Sequence, residues 1–189
     1  MTKKGIGFNN KVMSKTAFSI RDLWMGAKTI LLDADGATSQ LHILGVPDDK
    51  LPQLVELFLE GVAEIEYVTF SSTDHGATWP EYDGEAEQKF LSDRVGNWVF
   101  GGALKNDRSL RFFVDCEGET QARAELVFWD TEFFPKPNDQ EKCISSFADL
   151  IAIADAFRQL LPDCEFAFDA YENGDPRERR NDTSTFFLV

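Results

Sequence analysis

Two stretches of the chain place apolar residues three and four positions apart, which is the spacing of an amphipathic helix. The apolar residues of the first stretch are Leu51, Leu54, Val55, Phe58, Leu59 and Val62. Those of the second stretch are Leu150, Ile151, Ala154, Phe157, Leu160 and Leu161. Ser146 can cap the second helix, and Pro162 ends it. The pattern predicts two principal helices, at about 49–61 and 146–161, and a weaker helical period covers 14–26.

Most of the remaining chain alternates between apolar and polar residues, as strands do. Strands are predicted at 29–32, 40–46, 64–72, 97–104, 109–116, 121–129, 165–170 and 184–188. The first two are predicted to form a hairpin around the turn Asp33-Ala34-Asp35-Gly36, which lacks the full ligand spacing of a calcium loop. In the strand at 109–116 one face is apolar and the other is mixed. We therefore expect an α+β fold, a mainly antiparallel sheet of six to eight strands with two principal helices over one face.

The length of 189 residues and the absence of an internal repeat or linker favour one domain over residues 1–189. Residues 1–12 are predicted to be a loose N-terminal arm, and residues 172–183 a mobile, charged loop. We find no secretory signal and no apolar run long enough to cross a bilayer. These features predict a cytoplasmic protein without a membrane partner.

One short motif stands out between the predicted strands. Ser72, Asp74, Gly76, Thr78 and Trp79 match the pattern S-x-D-x-G-x-T-W. This resembles the Asp-box, or BNR motif, of sialidases and other β-propellers, in which it shapes a hairpin turn and performs no chemistry. The resemblance covers eight residues and occurs once, whereas a propeller repeats the box in several blades. It implies a local hairpin at 72–79 and no catalytic residue.

The charge of the chain is −14 and is unevenly distributed. Residues 1–30 carry a net charge of +5 and residues 31–189 a net charge of −19. An acidic body repels phosphate backbones, so nucleic acid is not an expected partner, whereas a basic protein is attracted to it. Solubility alone is an equally good explanation of the charge.

No motif for a metal, a cofactor or a nucleophile is present. The three cysteines are widely spaced, with no C-x-x-C, and are predicted to be buried or half-buried free thiols. His75 is predicted to face solvent in a turn, and His42 to be a core or edge residue of a strand. Phosphate-binding and nucleophile signatures are absent. We therefore expect no cofactor, no metal and no catalytic residue.

Aromatic side chains among carboxylates are what a tight interface with a basic protein uses. The residues predicted to bind such a partner are Trp79, Tyr82, Asp83, Glu85, Glu87, Glu117, Glu119 and Trp129. In its general character the chain resembles bacterial toxin-immunity proteins. The leading hypothesis is a non-enzymatic immunity or inhibitor protein that occludes a basic toxin or nuclease. Two alternatives stay open, a structural or assembly subunit of a phage or secretion system and a carboxylate-dependent hydrolase.

Overall fold

The computed structural model describes residues 19–33, 38–71, 76–79, 88, 92, 96–105, 107–115, 121–169, 176–179 and 185–188. The helices whose bounds lie in these residues are α1 (Ile20–Asp33), α2 (Leu51–Gly61), α3 (Asp130–Phe133) and α4 (Gln140–Leu160). Short 3-10 turns cover Asp48–Lys50 and Pro176–Arg179. The strands are β1 (Thr38–Pro47), β2 (Glu64–Ser71), β3 (Gly76–Trp79), β4 (Asn97–Ala103), β5 (Ser109–Asp115), β6 (Gln121–Trp129), β7 (Glu165–Asp169) and β8 (Thr185–Leu188).

The described strands form one eight-stranded sheet in the order β3-β2-β4-β5-β6-β1-β7-β8. Each neighbouring pair is antiparallel. Consecutive strands mostly pair as neighbours, but β1 lies between β6 and β7, far from β2. The fold is therefore α+β, as predicted, and the number of strands lies within the predicted range.

The helices α1, α2 and α4 pack against a single face of the sheet. Phe112 of β5 and Phe168 of β7 lie in one row across that face, because Phe112 is opposite Leu126, Leu126 is opposite Leu41, and Leu41 is opposite Phe168. The ring of Phe112 lies 5.1 Å from Phe58 of α2 and 5.7 Å from Phe157 of α4, measured between ring centroids. Contacts of this kind add to the burial of large apolar area and hold the two layers together.

The first predicted strand, at 29–32, is wrong, because these residues belong to helix α1. The residues Leu23, Trp24, Ala27, Ile30 and Leu31 are buried at helical spacing. The helix starts with a reciprocal cap, in which Ser19 Oγ accepts from the Asp22 backbone N–H and Asp22 Oδ2 accepts from the Ser19 N–H. The predicted hairpin with 40–46 is also wrong, since β1 pairs with β6 and β7. The turn residues 34–37 lie outside the described residues.

The second principal helix begins earlier than predicted, at Gln140 rather than near Ser146. Its N-cap is Asp139, whose Oδ1 accepts from the Lys142 backbone N–H at 3.3 Å. Ser146 is buried inside the helix, where its Oγ accepts from Arg108 at 2.9 Å. From the sequence alone, a buried serine that accepts a hydrogen bond from a distant arginine cannot be distinguished from a serine that caps a helix. The first principal helix is confirmed as the 3-10 turn Asp48–Lys50 followed by α2.

The hairpin predicted at 72–79 is confirmed in its strand pairing. Strands β2 and β3 are antiparallel, with Ser71 opposite Gly76 and Val68 opposite Trp79. The turn residues 72–75, which include Asp74 and His75, lie outside the described residues. The Asp-box turn itself therefore stays a prediction.

The remaining organisational predictions concern segments at the ends of the chain. Residues 1–12 lie outside the described residues, and so does 172–183 except for the turn Pro176–Arg179. In that turn, Arg177 Nε lies 3.1 Å from Glu165 Oε2. None of the described helices is long and apolar enough to cross a membrane. The assignment of residues 1–189 to a single domain stays a prediction.

Candidate functional site

The face of the sheet opposite to the helices carries polar and aromatic side chains, and we call it the polar face. Because strand side chains alternate, the neighbours of the core residue Phe112, namely Arg111 and Phe113, point to this side. Strand pairing places two rows across it. The first row is Tyr67, Gly101, Arg111, Val127, Gln40, Asp169 and Thr185. The second row is Thr69, Val99, Phe113, Glu125, His42, Ala167 and Phe187.

One part of the polar face is an arginine between two aromatic residues, Tyr67, Arg111 and Trp129, which we call the Arg111 cluster. The guanidinium carbon of Arg111 lies 5.0 Å from the Trp129 ring centroid, within cation–π distance. Burial raises the pKa of Tyr67, and the charge of Arg111 and its hydrogen bond to Tyr67 oppose that rise. All three side chains are half-buried. The cluster offers the residue types that dominate protein interfaces energetically.

The Arg111 cluster depends on the glycine beneath it. Gly101 of β4 lies opposite both Tyr67 and Arg111. A Cβ at this position would overlap the Tyr67 ring, which crosses directly over the glycine. The absence of a side chain at Gly101 therefore lets Tyr67 approach Arg111 across β4.

A second part of the polar face is an ionic group around the half-buried Glu125. Its Oε1 lies 2.7 Å from Arg123 Nε and 3.2 Å from His42 Nδ1. Burial by itself raises the pKa of Glu125, but His42 and Arg123 outweigh this effect and the net pKa is lowered. The carboxylate is therefore held in its charged form by its two neighbours.

The polar residues of β1 beside Glu125 are buried without complete hydrogen bonding. His42 is 1% exposed, as expected of a core residue, yet neither ring nitrogen is in hydrogen-bond geometry, including the Nδ1 near Glu125. Gln40 is 6% exposed, and its Oε1 also has no hydrogen-bond partner. Unmet polar groups of this kind cost stability unless water satisfies them.

The described surface is most acidic in one continuous stretch, residues 48–66, which we call the acidic segment. Its six carboxylates are all exposed, and Lys50 is the basic residue of the stretch. These carboxylates are Asp48, Asp49, Glu56, Glu60, Glu64 and Glu66. Because they lie within a few turns of one another along α2 and into β2, their fields add at the surface.

Of the residues predicted to bind a partner, the structure shows the surroundings of Trp129 alone, within the Arg111 cluster. Trp79 ends the edge strand β3, where its backbone lies opposite Val68. The structure describes the backbone of Trp79 and not its side chain. Three strands separate β3 from β6, which puts the two strands roughly 19 Å apart. The other predicted residues, Tyr82, Asp83, Glu85, Glu87, Glu117 and Glu119, lie outside the described residues.

Sequence reasoning missed Tyr67 and Arg111 as surface residues of interest. The signal was present in the alternation of β5, where the mixed face carries Arg111 and Phe113. The alternation could not show that Tyr67 comes from β2 across a glycine, because the order of strands is a tertiary property.

Titratable groups elsewhere do not form a metal site in the described part of the chain, which holds no suitable group of three His, Cys, Asp or Glu residues. Cys143 is a buried free thiol and Cys164 a half-buried one, while Cys116 lies outside the described residues. Burial raises the pKa of Asp130 to about 6, and the Ser39 hydroxyl opposes part of that rise. Even so, neither Asp130 oxygen makes a hydrogen bond of acceptable geometry.

Comparison with known proteins gives one structural similarity. No protein-family model matches the chain. No curated protein sequence matches it either. A chain in the crystal structure of the toxic C-terminal tip of CdiA from Pseudomonas aeruginosa in complex with immune protein is similar, with a TM-score of 0.44 and 16% identity. The match covers 74% of this chain and 89% of that one.

Proposed function

We propose that this chain is a non-enzymatic acidic binding protein that occludes a basic partner. The most concrete form of the proposal is a cytoplasmic immunity protein for a cationic toxin such as a nuclease. The observation that carries it is the acidic segment, which contains six exposed carboxylates and one lysine. A surface of this charge speeds encounter with a basic protein and disfavours nucleic acid as a direct partner.

Charge provides attraction, but a stable complex also requires a desolvated contact. The Arg111 cluster is suited to that part, because Tyr, Trp and Arg are the residues most often found at energetic centres of interfaces. The residues predicted from the sequence around Trp79, Glu85 and Glu117 remain part of the proposed contact surface. The proposal is supported by the charge of the acidic segment and by the residue types of the Arg111 cluster. It does not depend on the structural similarity to the chain in the CdiA complex.

The hydrolase alternative would need a carboxyl group of raised pKa in a cavity that a substrate can enter. Asp130 has such a pKa, but the residue is 6% exposed, and it lines neither the cavity at residues 135–141 nor the cavity beside Arg108. The binding-protein proposal is therefore the better supported of the two. An assembly subunit would use the same surfaces for a different partner.

Affinity capture from the native cell tests the partner class directly. We expect a basic protein in a 1:1 complex that survives sizing and whose association slows as salt is added. The paired reversal Glu64→Lys and Glu66→Lys should slow association about tenfold or more, because steering is what these exposed carboxylates provide. Reversal at Glu85 and Glu87, or at Glu117 and Glu119, tests the contact surface predicted from the sequence in the same way.

The control is the single reversal Glu178→Lys, in the 3-10 turn Pro176–Arg179 and outside the acidic segment, which is compared with Glu64→Lys alone. A complex whose association rate ignores both salt and the reversals would refute the steering part of the proposal. A captured assembly that is large and symmetrical would favour the assembly alternative instead.

A further inference from the structure

A small cavity lies between the start of α4 and the residue that precedes β5, Arg108. Its volume is about 170 Å³. That is less than the roughly 300 to 1,000 Å³ of pockets for drug-sized ligands and corresponds to a few water molecules. The lining residues are Arg108, Phe133, Phe134, Pro135, Lys136, Lys142, Cys143, Ser145 and Ser146. Three of them are basic and none is acidic, in a protein whose net charge is −14.

Arg108 is the fixed element of this cavity. Its Nη1 lies 3.0 Å from Asp149 Oδ2, its Nη2 donates to Ser146 Oγ at 2.9 Å, and its guanidinium carbon lies 5.0 Å from the Phe133 ring centroid. These contacts hold the planar group in one orientation and leave further N–H donors for a ligand. A preorganised arginine binds an oxyanion without first losing side-chain freedom.

Two lysines complete the positive lining. Lys142 is exposed and lies 3.2 Å from Asp139 Oδ2, and Lys136 is exposed in the loop before α4. Three carboxylates lie near the cavity without lining it: Asp139 pairs with Lys142, Asp149 pairs with Arg108, and Glu132 Oε2 accepts from the Ser109 backbone N–H at 2.8 Å, next to Arg108. The lining itself therefore holds three positive charges and no negative one, and the carboxylates stand behind it.

The thiol of Cys143 lines the cavity but is not a reactive group. Its Sγ lies 3.5 Å from the Lys136 carbonyl oxygen and 3.7 Å from that of Pro137, so the S–H ties the loop to the helix. Burial and the nearby Asp139 raise the pKa of Cys143, and the group stays a thiol at neutral pH.

We propose that the cavity between Arg108, Lys136, Lys142 and the serines of α4 binds a small oxyanion, such as a phosphate or carboxylate group. The guanidinium and the two ammonium groups supply charge, and the Ser145 and Ser146 hydroxyls supply additional hydrogen bonds. The volume of about 170 Å³ admits the anionic group itself and is too small to enclose a nucleotide.

The test is a nuclear magnetic resonance titration of the whole chain with inorganic phosphate, with sodium acetate as the carboxylate arm and potassium chloride at matched ionic strength as the reference. Phosphate or acetate, whichever is the better ligand, should shift the backbone amides of Cys143, Ser145 and Ser146 with saturation. Lys136→Gln and Lys142→Gln should each weaken binding about fivefold, the effect expected for one exposed charge.

Lys28→Gln, on α1 and outside the cavity lining, is the charge-matched control and should leave the affinity unchanged. Lys136→Gln lies in a loop and should not disturb folding, which the unchanged amide spectrum of the core would verify. Shifts that chloride reproduces, or an equal loss of affinity in Lys28→Gln, would overturn the proposal in favour of general charge screening.

Discussion

The guanidinium of Arg111 lies over the ring of Trp129 at 5.0 Å, and this contact joins β5 to the last residue of β6. The half-buried ring shields one side of the cation, while Tyr67 approaches the same arginine from β2 across Gly101. An arginine fixed between two aromatic residues is rigid and only partly hydrated. That makes it well suited to contact a partner at low entropic cost.

The first prediction concerns the coupling between Arg111 and Trp129. A double-mutant cycle with Arg111→Ala, Trp129→Ala and the double variant should give a coupling of about 0.5–1 kcal/mol in the free energy of unfolding, the value of a partly exposed cation–π pair. Urea denaturation of the four proteins measures it. Additive single effects would show that the stacking contributes no net stability.

The second prediction concerns Gly101. Replacement by alanine puts a methyl group into the Tyr67 ring, so Gly101→Ala should lower the free energy of unfolding by about 1–3 kcal/mol. Removing the ring with Tyr67→Ala should abolish the penalty, and the double variant should then be no less stable than Tyr67→Ala alone. A Gly101→Ala protein of unchanged stability would mean that the ring moves aside freely.

The third prediction concerns the carboxylate of Glu125, whose pKa in the folded protein lies below its ordinary value of 4.5. The unfolded state then binds more protons than the folded state in acid, so this stabilisation is complete above pH 4.5 and is lost as the pH falls through the folded pKa. Glu125→Gln should lower the free energy of unfolding at pH 7 by about 1–3 kcal/mol and flatten the acid dependence.

Glu60→Gln on the exposed side of α2 is the matched control for Glu125 and should change little. Denaturation at pH 3.5 and pH 7 compares the two variants with the parent protein. If Glu125→Gln and Glu60→Gln behave alike, the contacts of Glu125 with His42 and Arg123 contribute nothing to stability.

The fourth prediction concerns Asp130, whose pKa is raised from 3.8 to about 6 by burial. Its effect on the pH dependence of stability is opposite to that of Glu125. The folded state binds more protons than the unfolded state between these values, so stability falls as the pH rises from about 4 to 6. The shift corresponds to roughly 3 kcal/mol of destabilisation at neutral pH. Asp130→Asn should therefore stabilise the protein at pH 7.5 by a large part of that amount.

The control for Asp130 is Asp163→Asn, an exposed residue just after α4, which should leave the stability unchanged at both pH values. Thermal or urea denaturation at pH 4.5 and pH 7.5 separates the two variants. A loss of stability in Asp130→Asn at pH 7.5 would show that the charged carboxylate makes favourable contacts.

The strands and helices with strong periodicity were predictable from the sequence, because the spacing of their apolar residues shows which side chains are buried. The alternation over 109–115 and the helical stripe over 51–61 are local patterns, and each element has the predicted type in the structure. The region at 29–32 was predicted as a strand because four apolar or β-branched residues in a row fit either element, and only packing of α1 on β7 and β8 decides between them.

The local sequence pattern determines the candidate site even less than it determines the strands and helices. The sequence showed the acidity, the absence of nucleophile and cofactor motifs, and Trp129 as a candidate contact residue. It did not show that Trp129 meets Arg111, nor that Arg108 and Lys142 line one cavity with Phe133. Such groupings depend on contacts between elements distant in the chain.

By itself, then, the sequence determined an acidic α+β protein with an antiparallel sheet, because composition and periodicity are carried by neighbouring residues. The tertiary structure alone decided that β1 lies between β6 and β7, that Tyr67 reaches Arg111 over Gly101, and that three basic residues line one cavity in an acidic chain. These features arise from strand order and side-chain approach across the sheet. Burial of apolar area selects that arrangement for the whole chain and leaves no signature in any short segment.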